Sequence, residues 1–120
     1  MKKRNIIISW ILRGLVALGL LMASLGKLTN NPSVIEMFNN WGFPDRFYFI
    51  IGIIEITLAV LLLIPKTLKP SIIGIVVILI GASLTHIIND PLSQLIRPLI
   101  FFILVAIIYK LNFITKKEII

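Results

Sequence analysis

The chain predicts an all-α fold, an integral-membrane four-helix up-down bundle with a short interfacial helix between helices 1 and 2. Three observations lead there. Hydrophobic residues fill 58% of the 120 positions and the mean hydropathy is +1.05, too apolar for a soluble core of this size. Four apolar runs, at approximately 6–28, 47–64, 71–88 and 92–113, approach or reach the length that crosses a bilayer, and polar or proline-bounded connections separate them. There are 12 Lys+Arg against 5 Asp+Glu for a net +7, and, Arg13 and Arg97 apart, the positive charge lies in the connections and at the ends of the runs. That pattern orients spans in a membrane and is not read as a nucleic-acid surface. Residues 1–120 form one transmembrane domain.

Lys2, Lys3 and Arg4 precede the first apolar run, which Arg13 interrupts and Lys27 closes. A basic start before an apolar stretch also marks a signal peptide, but this run is long enough to span and a charge breaks its centre. Arg13 is expected to snorkel, its stem in hydrocarbon and its guanidinium among the cytoplasmic headgroups. The connection Thr29 to Arg46 is the one long one. Asn30 or Asn31 can cap a short helix that Pro32 begins and Gly42 ends, with Val34, Ile35, Phe38 and Trp41 at helical spacing. Such a helix lies in the interface, with Trp41 as an anchor.

In the second span Tyr48, Gly52, Glu55 and Ala59 share one small, polar face, which should point inward. Pro65 to Pro70 reads as a tight turn. The third span, Ser71 to Ile88, offers Gly74 and Gly81 for close packing and ends with Thr85 and His86. At Asn89-Asp90-Pro91, Asp90 should cap the last helix and Pro91 should begin it. Pro98, just after Arg97, should kink or restart that helix. Thr115 to Ile120 is expected to fray.

Four crossings place Lys2, Lys3, Arg4, Lys66, Lys69, Lys110, Lys116 and Lys117 on one side. Lys27, Arg46 and Arg97 flank the other, beside Glu36, Asp45 and Asp90. The positive-inside rule then puts both termini in the cytoplasm. The chain has no cysteine and a single histidine, which leaves no disulfide, iron–sulfur cluster or bis-histidine haem and gives a poor start to a zinc site.

Lys27, Glu55, His86 and Arg97 come one from each span, all in the outer half. Glu55 lies ~12 Å below the outer end at 1.5 Å per residue. Each of the four is expensive facing lipid, so convergence inside the bundle is the expected arrangement. Two readings follow. A clamped Glu55 can simply lock helix register. Alternatively, the four line a ligand pocket under a Phe38/Trp41 lid, with Glu55 and His86 exchanging protons and Lys27 and Arg97 holding an oxygen-rich or anionic head group. A quinone, with carbonyl acceptors and an apolar tail, fits, as do a phospholipid head and a small anion.

Arg13, Gly26-Lys27-Leu28, Gly42-Phe43-Pro44, Gly52-Ile53-Ile54-Glu55 and the turn at Pro65, in that order across the spans, resemble the DoxX family and its DoxX-like relatives. The resemblance runs from about Arg13 to Leu111. It implies a small four-helix protein of the bacterial cytoplasmic membrane, where some members serve oxidoreductase systems, including thiosulfate-to-quinone electron transfer and oxidative-stress complexes. The cysteine-bearing branch is not matched. The expectation is thus an accessory subunit beside an oxidoreductase partner, with quinone as its cofactor class, a homo-oligomer being open and the bilayer its surroundings. The alternatives are a membrane scaffold or chaperone, using a Gly74/Gly81 stripe as its partner surface, and a carrier for a small anion or lipid.

Overall fold

The computed structural model describes residues 3–114, so the tail expected to fray lies outside them. Helix α1 is Lys3–Leu28. A bilayer core offers no water to unpaired amides, and an unbroken aliphatic helix satisfies them internally. Helix α2, Pro32–Asn40, is bounded as its sequence predicts. Asn31 caps it, accepting the Ser33 N–H at 2.9 Å, and Pro32 occupies the first turn. Its far end is a Schellman turn. Gly42 takes φ +84°, its N–H reaches Asn39 O at 3.0 Å, and the Phe43 N–H reaches Phe38 O at 3.2 Å.

Helix α3, Phe47–Leu63, has 17 residues. A 3-10 turn, Pro65–Thr67, leads into α4, Leu68–Asn89, so the turn is shorter and the helix starts earlier than predicted. Pro70 falls in the first turn of α4, where an N–H has no intrahelical partner to lose. The last apolar stretch opens with a 3-10 turn, Leu92–Leu95, and restarts as α5, Ile96–Tyr109, with Pro98 in its first turn; a π-helical turn, Lys110–Ile114, follows. Pro91 precedes the 3-10 turn with ψ 150°, so it does not begin a helix as predicted.

The four long helices close a ring, with α1 against α3, α3 against α4, α4 against α5 and α5 against α1. Val16, Leu20, Leu62, Ile75, Val105 and Ile108 fill its centre. The predicted inward face of α3 is buried along its length at Tyr48, Gly52, Glu55 and Ala59. At Gly74 a Cβ would stand 2.5 Å from Leu58 Cδ2, so this glycine lets α4 approach α3. Gly81 meets nothing, and the expected Gly74/Gly81 stripe is not one continuous surface.

The outward faces are aliphatic, with Ile11 56%, Met22 65%, Val77 62% and Ile103 54% exposed. So much apolar surface on a bundle of 50 × 27 × 18 Å suits hydrocarbon. The segments Lys3–Leu28, Pro65–Asn89 and Leu92–Ile114 are long and apolar enough to cross a membrane. Helix α3 rises only about 26 Å, the lower end of the spanning range.

Candidate functional site

The predicted site residues fall into separate places. Two of them meet. Lys27, near the end of α1, brings Nζ to 2.7 Å from Glu55 Oε1, one helix across, and also donates to Ala23 O at 3.3 Å. Gly52 makes this approach feasible, since a Cβ there would stand 3.0 Å from Lys27 Cβ and 3.1 Å from Leu28 Cγ. Glu55 is 5% exposed. At 2.7 Å the ammonium and the carboxylate oxygen form a close ion pair across the two helices. Two turns outward from Glu55, the Tyr48 hydroxyl donates to Asn30 Oδ1 at 2.8 Å and ties α3 to the loop after α1.

His86 belongs to a second cluster. Its Nδ1 lies 2.8 Å from Asp90 Oδ2, and Trp41 Nε1 donates to the same oxygen at 3.0 Å. The imidazole and indole stand edge to face, centroids 5.5 Å apart. Asp90 is therefore occupied by Trp41, just past the end of α2, and by His86 of α4 instead of capping the next helix, which corrects the expectation for it. Trp41, half-buried, ties α2 to α4 as well as lying at the rim. Phe38 packs beneath it against Phe43, Phe47 and Tyr48.

A cleft of about 350 Å³ opens beside this cluster, walled by Met37, Asn40, Trp41, His86, Asp90 and Gln94. His86 Nδ1 is engaged with Asp90, so Nε2 is the ring nitrogen not held by that contact. No lysine or arginine lines the cleft. A neutral hydrogen-bonding head group suits it better than an anion.

Arg97 is exposed and has no ion pair among the described residues. The single four-residue chamber predicted from one charge per span is thus corrected to a closed Lys27–Glu55 pair, a His86–Asp90–Trp41 cluster and a free-standing Arg97. Helical period assigns a face to each residue but not the neighbour that the face meets.

Arg13 does not snorkel. It is 3% exposed, its Nε donates to Leu62 O at 2.9 Å, and its guanidinium carbon lies 3.9 Å from the centroid of the Trp10 ring. Carbonyls at the end of α3 lie beyond the regular helical ladder; Arg13 takes that of Leu62, and Thr67 donates at 2.8 Å to that of Leu61, which also accepts the Ile64 N–H. Nearby, Asn112 bridges Ser9 Oγ and Ile108 O, each at 2.8 Å.

Residues 11–108 match the family model of the DoxX-like family. The chain belongs to the DoxX-like family. No curated protein and no solved structure matches it. The match includes Arg13, Lys27, Glu55, His86 and Arg97, so every residue discussed as a site lies within the DoxX-like region. Two of the segments that carried the resemblance, Gly26-Lys27-Leu28 and Gly52-Ile53-Ile54-Glu55, face each other in this DoxX-like bundle. Asp90, Asn30 and the Ser9–Asn112 pair were missed as polar contacts by sequence reasoning. Only the polarity of Ser9 and Asn112 within or beside apolar runs could have signalled the last of these.

Proposed function

We propose that this DoxX-like protein crosses the bacterial cytoplasmic membrane four times with both termini inside, and serves there as an accessory subunit of an oxidoreductase system. Its contribution is a seat for a neutral quinone head group in the outer cleft. The observation that carries this reading is the His86–Asp90 pair beside an open polar cleft: a carboxylate fixes the imidazole, and the other ring nitrogen is free to exchange a proton with a ring oxygen. Met37 and Trp41 supply apolar contact for the ring.

The test is a thermal melt of the protein in detergent with a short-chain benzoquinone. Native protein should gain stability, and His86→Ala and Asp90→Asn should each abolish the gain while leaving Glu55→Gln responsive. A native protein that no quinone stabilises would remove the reading. The orientation is checked by a cysteine at Asn39, which should be labelled from outside the cell only.

A second reading has its own support. The Lys27–Glu55 pair is closed upon itself at 2.7 Å, as a register lock in a membrane scaffold would be. In that case Glu55→Gln lowers the melting temperature and quinones do nothing to either protein.

A further inference from the structure

At the end of the bundle away from α2, the packing of α4 and α5 leaves a groove of about 470 Å³. Ile72 and Val76 form one wall, and Phe102, Val105, Ala106 and Tyr109 the other. Along α5 these residues cover one face over about 10 Å of rise. Any apolar groove in a bilayer takes hydrocarbon. What distinguishes this one is the charge at its end.

Lys69 lies three residues before Ile72 and seven before Val76, on the same face of α4. Lys110 follows Ala106 by four, and its N–H still bonds Ala106 O, so it extends the groove face of α5. Lys66, on the turn before α4, is at the same end, as are Lys3 and Arg4 at the start of α1; all five are exposed. Among the described residues none of them is in an ion pair. The carboxylates of the described residues, Glu36, Asp45, Glu55 and Asp90, belong to the other end or to the interior. An apolar groove with Lys69 and Lys110 each about one helical turn beyond its lining residues, and no carboxylate of the described residues at that end, matches an anion attached to a hydrocarbon chain.

We propose that this groove is a binding site for one anionic phospholipid, with an acyl chain laid along α4 and α5 and the phosphate held at the end that carries Lys69 and Lys110. The site is remote from the outer cleft and does not depend on the function read there.

Native mass spectrometry of the protein in nonionic detergent, offered phosphatidylglycerol or phosphatidylcholine, tests it. One phosphatidylglycerol should be retained in preference to phosphatidylcholine, and Lys69→Gln with Lys110→Gln should lower that retention about fivefold for each lysine. Ala106→Phe, at an exposed position, should fill the groove and displace the lipid without altering the charge. Inorganic phosphate should not compete. Equal retention of the two lipids, or a double lysine variant that binds like the native protein, overturns the proposal. So does retention unaffected by Ala106→Phe, or full competition by inorganic phosphate, since either would reduce the site to surface charge alone.

Discussion

Arg13 and Glu55 are the two charged side chains buried among the described residues, both at the contact of α1 with α3, and they are met by different kinds of partner. Glu55 has a formal counter-charge in Lys27, carried by a side chain of the facing helix. Arg13 has none. It draws on the carbonyl at the end of α3 and on the face of Trp10, which together supply partial negative charge without an acid. A charge held by a side chain can be removed together with its partner, whereas a charge held by backbone cannot, because the carbonyl stays behind.

That difference sets the largest expected effect. Lys27→Met leaves the Glu55 carboxylate buried and alone, and should cost about 3–5 kcal/mol in a detergent unfolding titration. Adding Glu55→Leu to it should restore most of the loss, as an apolar pair replaces an ionic one. A double variant no more stable than Lys27→Met would show that the pair does more than lock register. Arg13→Met comes next, at about 2 kcal/mol, since Leu62 O loses its side-chain donor in a dry setting. No second substitution should rescue it, and a suppressor found at a side chain would break the contrast.

Smaller effects sharpen it. Gly52→Ala should lower stability by about 1–2 kcal/mol, because its Cβ must push Lys27 and Leu28 away and so loosen the ion pair one turn along. Gly81→Ala, with open space around it, should leave the melt unchanged or raise it by up to about 1 kcal/mol through helix propensity. Equal responses at the two glycines would mean that the approach of α1 to α3 is not set at Gly52.

Much of this was legible in the residues. Apolar runs placed the helices, because in hydrocarbon a segment either closes its own hydrogen bonds or fails. The buried face of α3 followed from spacing, and Asn31, Pro32 and Gly42 bounded α2 by cap chemistry that acts over a few positions. The site was legible only where two residues had to neutralise each other, as Lys27 and Glu55 do. His86 was drawn instead to Asp90, four positions on, and to Trp41, whose nearness depends on how α2 folds over the bundle. Arg13 was misread because its partner is a main-chain oxygen, and no residue type announces where a helix will stop.

The Asn112–Ser9 contact joins positions 103 apart, while the Arg13 and Lys27 contacts lie wholly within the first 63 residues. An order of assembly follows. The opening pair of helices can fasten as an antiparallel hairpin early in synthesis, at little loop-closure entropy, with its charges already quenched. The final helix then shuts the circle, and an interruption before that step would leave α1, α3 and α4 as an open arc whose flank at Gly19 and Ser9 still lacks its neighbour.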